Sequence, residues 1–213
     1  TSLIANNLGK SDGKKASKIF GQTIILTIII SLIVSLLGIY FSPKIINSIN
    51  NDKETLFYSL EYINIIFIGS VFIFLLMTLN SALNAQGDTK SYRNVLIFSF
   101  FLNIILNPIL ISGKILGINL FSPLGISGIA IATVISQFIG IFYLLYQIKK
   151  TKIYDSLKKN YLIPNFTIIK NILTQGIPAS IGLMMIAIGS YIILYFVAMF
   201  GKDAIAGYTA ALR

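Results

Sequence analysis

Cysteine, histidine and tryptophan are absent from this sequence of 213 residues. Thiol nucleophiles, structural zinc, haem ligation through imidazole and a Ser-His-Asp triad are therefore unavailable within it. Acidic residues are scarce as well: Asp12, Asp52, Glu54, Glu61, Asp88, Asp155 and Asp203 stand against 17 Lys and Arg. All seven fall in loops or at the ends of apolar runs. Glu61, the one closest to such a run, reads as an interfacial group, because ionised side chains avoid lipid. Intramembrane proteolysis would need a Ser-His pair, two membrane aspartates or a zinc motif, and the apolar runs offer none of these. No enzymatic activity is expected.

What the sequence has in quantity is uninterrupted apolar stretches. Five of them, at 19–40, 62–83, 95–112, 126–148 and 177–200, dominate it, with the charges collected between them. A bilayer core takes roughly 20 apolar residues at about 1.5 Å rise per residue, so each is long enough to cross. A soluble helix would show a polar face every turn, and these largely do not. The expected fold is therefore all-α, a polytopic transmembrane helical bundle. Without tryptophan, the candidates for the interfacial aromatic belt are Tyr40, Tyr58, Tyr62, Tyr143, Tyr146 and Tyr191.

The chain opens on Thr1, and residues 1–8 read as the tail of a preceding helix, while 204–213 begin a further one. The sequence is thus expected to be a piece of a longer protein. Basic residues divide unequally between alternate loops. One set holds Lys10, Lys14, Lys15, Lys18, Lys90, Arg93, Lys149, Lys150, Lys152, Lys158, Lys159 and Lys170; the other holds Lys44, Lys53, Lys114 and Lys202. The positive-inside rule places the first set in the cytoplasm. The same distribution accounts for the net charge of +10 without a nucleic-acid partner, since these residues form no groove or binding motif. The longest polar stretch, 149–171, carries Pro164 and a weakly amphipathic 166–173, and reads as a cytoplasmic linker between two bundles.

Polar residues inside the apolar runs carry the functional signal. Gly87 suits the left-handed end of one helix, with Asp88 or Thr89 capping the next. Further on, Ser99, Asn103 and Asn107 fall one turn apart on a single helix face. Pro108 has no amide hydrogen and displaces the carbonyl of Ile104, freeing a backbone acceptor beside the asparagines. The stripe reads either as a hydrated site for an ion or cationic substrate, or as hydrogen-bonding glue between helices. In the following run, Gly128, Ala132, Ser136 and Gly140 recur every four residues as a close-packing face. Thr133 and Gln137 form another pair one turn apart. Counting back from the shared loop sets Thr133 at the depth of Asn107 and Gln137 near Asn103, so both pairs are expected to face one cavity.

Three segments, 83–90 (Leu-Asn-Ala-Gln-Gly-Asp-Thr-Lys), 102–108 (Leu-Asn-Ile-Ile-Leu-Asn-Pro) and 125–133 (Gly-Ile-Ser-Gly-Ile-Ala-Ile-Ala-Thr), in this order and spacing, resemble the multidrug and toxic compound extrusion (MATE) family. The likeness spans essentially the whole chain. It implies a twelve-helix transporter of two six-helix lobes in a bacterial inner membrane, working as a monomer. Such a transporter exports organic cations and other amphipathic drugs in antiport with Na⁺ or H⁺, without a further cofactor. Residues 1–148 would be part of the N-terminal lobe, 149–171 the inter-lobe linker, and 172–213 the start of the second lobe, with Gly176-Ile-Pro-Ala179 opening it. The family's polar site maps to Asn103, Asn107 and Thr133, with Gln137 beside them and Asn80 nearer the cytoplasmic end.

A Na⁺ ion would sit near Asn103, Asn107 and Thr133, with Pro108 as the flexing point. Two departures bear on coupling. Asn107 stands where some members carry an aspartate, and an amide does not exchange a proton near neutral pH. Ile186 stands where the NorM-like branch carries a glutamate, so the chain is more similar to the DinF-like branch. The alternatives are a lipid-linked oligosaccharide flippase, which would need cations in its membrane cavity, and a non-transporting structural subunit.

Overall fold

The computed structural model describes residues 1–49, 52–115, 118, 119 and 121–212. It is a helical bundle: α1 (Ser2–Gly9), α2 (Gly13–Ile49), α3 (Lys53–Ile68), α4 (Ser70–Asn84), α5 (Lys90–Ser112), α6 (Ile126–Ile148), α7 (Lys152–Asp155), a 3-10 turn (Lys159–Leu162), α8 (Phe166–Ala198) and α9 (Lys202–Ala211). Between α5 and α6, β1 (Lys114–Ile115) and β2 (Ile118–Asn119) form a short antiparallel ribbon, Lys114 opposite Asn119. Among the described residues, four helices, α2, α5, α6 and α8, are long and apolar enough to cross a membrane, and the bent pair of α3 and α4, taken as one span, brings the number to five.

The apolar runs appear where the sequence puts them, with three differences at their boundaries. α2 runs 37 residues through Pro43, about 55 Å at 1.5 Å per residue and longer than a bilayer core. The run 62–83 is not one straight helix: it breaks at Gly69, and α3 and α4 meet at 48°. A Cβ on Gly69 would stand 2.4 Å from Val134 Cγ2 of α6, and Ser70 donates to the Ser31 carbonyl at 3.2 Å, so the break sits in a tight three-helix contact. Finally, α8 starts at Phe166, inside the stretch 149–171 read as linker. Asn165 caps it, its side chain accepting from the Ile168 N–H at 3.2 Å, and Ile168 and Ile172 pack on the core. Their burial extends the helix beyond the apolar run.

The packed core lies at one end of the bundle, where Ile19, Phe20, Leu79, Leu83, Leu144, Ile148 and Ile153 come together from α2, α4, α6 and α7. The basic loops gather at this same end. Lys14 and Lys152 line one cleft with Asp155 and Ser156, and Gly13 lies against Ser156. Elsewhere the helices show their apolar sides outward: Ile105 is 59% and Phe100 63% exposed, the pattern expected where lipid, not protein, is the neighbour. Lys150 stands 4.0 Å over the Tyr146 ring and Lys44 5.2 Å over that of Tyr40. These pairs mark opposite ends of the bundle, with long cationic chains folding over interfacial aromatics.

Candidate functional site

The helical hairpin that leads into α5 is set locally. Gly87 takes φ +83°, and the Asp88 N–H bonds back to the Leu83 carbonyl at 3.0 Å. The capping side chain is Asp88, which accepts from the Lys90 and Ser91 N–H groups at 3.1 and 3.0 Å and from the Ser91 hydroxyl at 2.5 Å. Burial acts to raise its carboxyl, but the hydrogen bonds from Ser91 and Lys90 outweigh it and hold the group below the usual carboxylate range. A charged cap at the N-terminus of α5 also suits the helix dipole.

From this start, α5 runs unbroken past Pro108 and pairs closely with α6. A Cβ on Gly128 would meet the Leu110 backbone at 2.8 Å, and one on Gly140 the Val95 side chain at 2.7 Å. Gly128, Ala132, Ser136 and Gly140 are all buried, so the small-residue stripe brings the two backbones together. Ser136 does more than pack. The Asn103 amide donates to its hydroxyl at 3.0 Å and to the Ser99 carbonyl at 2.8 Å. This antiparallel register sets Gln137 level with Asn103, and Ala132 and Thr133 level with Asn107.

The layer is left with spare acceptors. The side-chain oxygens Asn103 Oδ1, Asn107 Oδ1 and Ser99 Oγ are buried and find no hydrogen-bond partner among the described residues, and the same holds for Asn80 Oδ1 and Asn64 Oδ1. A buried polar oxygen without a partner costs on the order of 1–3 kcal/mol, so a group that paired with several of them at once would stabilise the protein. The Thr133 hydroxyl donates to the Ile129 carbonyl at 3.0 Å, which uses its one proton and leaves the oxygen to act as an acceptor. Neutral amide and hydroxyl oxygens of this kind suit a hard cation. Asn80 stands apart from the others. Leu76, one turn before it, already meets Gly140, so Asn80 lies deeper toward the basic end than Asn103.

Two polar side chains with buried oxygens lie outside the candidate residues that the sequence singles out: the four-residue stripe gives Ser136 a packing role, and the periodic pattern of the apolar runs does not mark Asn64. Asn64 sits on α3, which packs on α6 with Gly69 against Val134 and with Ile63 and Ile126 lining one cleft. It therefore lies near the level of Ile129, closer in depth to Thr133 than Asn80 is. Its signal was available, as an amide standing alone in the apolar run Tyr62 to Phe67. A separate groove of about 440 Å³ runs along the flank of α5 and α6 between Asn94, Val95, Phe98, Ile139, Gly140 and Tyr143, away from the amide layer.

Comparison with known proteins places the chain in a family. The chain is 29% identical over 209 residues to the probable multidrug resistance protein YoeA of Bacillus subtilis, covering 97% of the chain and 44% of that relative. It is 28% identical over 211 residues to the multidrug export protein MepA of Staphylococcus haemolyticus, 99% of the chain and 45% of MepA. The chain thus spans about half the length of the curated relatives it matches. Its fold superimposes with a TM-score of 0.82, at 24% identity, on an inward-facing multidrug resistance MATE family transporter of the MOP superfamily, covering 100% of the chain and 47% of that structure. Residues 1–109, just over half of the sequence and reaching through the asparagine stripe of α5, match the MatE family model, and the chain belongs to the MatE family.

Proposed function

We propose that the protein to which this chain belongs is a secondary active transporter that exports amphipathic organic cations across a bacterial inner membrane in exchange for Na⁺. The amide layer on α5 and α6 is its ion and substrate site in the first lobe. The observation that carries this reading is the set of buried side-chain oxygens without partners at Asn103, Asn107 and Ser99. A bound cation would satisfy several of them at once. Asn103, Asn107 and Thr133 would coordinate the ion, Gln137 would line the same level, and Asn80 would mark the path toward the basic end, which faces the cytoplasm under the positive-inside rule. The multidrug names of the relatives agree with this substrate class. Sodium is favoured over a proton because the layer offers amides and hydroxyls, none of which exchanges a proton near neutral pH. Residues 1–148 then form part of one lobe, 149–171 the connection, and 172–213 the start of the other, in a protein of two lobes that works as a monomer.

The test is efflux of a fluorescent organic cation from cells making the full-length protein, with and without Na⁺, comparing the parent with Asn107→Ala at matched expression. Sodium-dependent efflux that the substitution weakens is the expected result. Efflux that is unchanged by Asn107→Ala would remove the layer from the mechanism. No efflux of several dyes under either ion gradient, from well-inserted protein, would sink the drug-export reading and make lipid-linked sugars the next substrates to try.

A further inference from the structure

α8 is tied to the rest of the bundle at both ends, by two different chemistries. At the basic end, Gln22 of α2 is fully buried. Its Nε2 donates to the carbonyls of Tyr161 and Ile163 at 2.7 Å each, and its Oε1 accepts from the Asn165 N–H at 2.6 Å. Five residues earlier, the fully buried Ser17 donates to the Ile153 carbonyl at 2.6 Å. Between them, a Cβ on Gly21 would stand 2.7 Å from Tyr161 O, so only glycine lets the connecting segment lie this close to α2. Asn165, held by Gln22, is itself the cap of α8. The segment between α6 and α8 is therefore no loose tether, because its backbone is bonded into the first bundle through α2.

At the other end the contacts lie in the open. The Ser48 and Tyr191 hydroxyls are 2.7 Å apart at an exposed site. Lys202, at the start of α9, reaches Asp52, the cap of α3, at 3.1 Å, with the two side chains 65% and 36% exposed. Along 174–188, between the two attachments, α8 is exposed, touching α1 through a long hydrogen bond that Ser2 Oγ donates to Gln175 Oε1 at 3.4 Å. Buried hydrogen bonds resist opening because each group set free is left unpaired in an apolar surrounding. Exposed hydroxyl and ion pairs exchange their partner for water at little net cost.

We propose that Gln22 is a positioning residue that fixes the connecting segment and the root of α8 to the first bundle. The swing of α8 is then confined to its outer end, where Ser48–Tyr191 and Asp52–Lys202 form a latch that opens and closes in each transport cycle. The proposal rests on the transport reading above, and it divides the contacts of α8 into one set that stays closed and one that must part.

The experiment uses the full-length protein carrying two introduced cysteines and no others. One protein carries S48C with Y191C across the latch, and the other G13C with S156C at the root, where a Cβ on Gly13 would stand 3.6 Å from Ser156 Oγ. Each pair is bridged with a short bifunctional methanethiosulfonate. Bridging the latch is expected to abolish dye efflux, with full recovery on reduction, while bridging the root leaves efflux intact. Loss of efflux from the root bridge, or efflux that survives the latch bridge, overturns the proposal.

Spin labels at the same two pairs give a readout that does not depend on transport. The latch pair is expected to show two distances whose populations shift with the ion gradient. The root pair is expected to show one distance, which broadens in Gln22→Leu. A single unshifting distance at the latch sinks the proposal, whereas absence of efflux from the unbridged protein sinks the transport reading instead.

Discussion

The basic end of the bundle and the amide layer between α5 and α6 are built from similar residues to opposite effect. At the basic end, Gln22 and Ser17 are fully buried, and both nitrogen and oxygen of the Gln22 amide find backbone partners. In the layer, Asn103 uses its nitrogen on Ser99 and Ser136 while its oxygen, like that of Asn107, is buried without a partner. A fully paired polar group inside an apolar bundle fixes one structure. A half-paired one keeps a coordination position open, and the difference in pairing separates architecture from site more sharply than the difference in residue type.

Breaking the paired side should have the largest effect. Gln22→Leu leaves two carbonyls and one N–H without their Gln22 partner, each at a cost on the order of 1–3 kcal/mol. A large fall in the thermal midpoint of the detergent-solubilised full-length protein is expected. A variant as stable as the parent would mean that water reaches the segment and that the pairing contributes little.

The helix contact that frames the layer comes next. Gly128→Ala drives a methyl into the Leu110 backbone, 2.8 Å away, and overpacking of this kind costs about 1–3 kcal/mol. Because the contact is between backbones, side-chain rotation offers no relief, and both stability and transport should fall together.

Within the layer the expected effect on stability is small. A double-mutant cycle of Asn103→Ala and Ser136→Ala should return a coupling of roughly 0.6–2 kcal/mol, the range for hydrogen bonds between membrane helices. Asn107→Ala removes a buried oxygen that has no hydrogen-bond partner among the described residues, so the thermal midpoint should hold or rise slightly, and any stabilisation of the protein by Na⁺ should be abolished. Equal stabilisation by Na⁺ in parent and variant would erase the contrast between the two regions.

The smallest effect is expected at the outer latch. The Asp52 carboxyl is held down to about 2, first by hydrogen bonds from the Thr55 hydroxyl and N–H and then by Lys202. A depressed carboxylate stabilises above its ordinary range and loses that contribution as pH falls from about 4 toward 2. The distance between spin labels at the latch should therefore be unchanged from pH 8 to pH 5, whereas raising the salt concentration should favour the open population, because the pair is exposed.

Much of this organisation was legible without a structure. Apolar run length gave the spans, and the lysines gave the shared end of the loops, because both follow from the energetics of a lipid phase and need no knowledge of packing. The four-residue recurrence from Gly128 to Gly140 likewise announced a close contact, since an α-helix repeats nearly every fourth residue on one face. The break at Gly69 was hidden, because its cause is Val134 on another helix, 65 positions away in sequence. Gln22 gave no usable signal either, as an amide near the end of an apolar run looks the same whether it meets water or the backbone of a distant segment. Asn64 was visible as a residue type, but its depth near Thr133 depends on where α3 meets α6.

The sequence by itself determined which segments enter the membrane, which end carries the positive charge, and which polar groups lie inside the apolar phase, all properties of local composition and period. Tertiary structure alone decided which of those groups are paired. It satisfied Gln22, left Asn107 open, and set Ser136 against Asn103, because pairing depends on what another helix brings within about 3 Å.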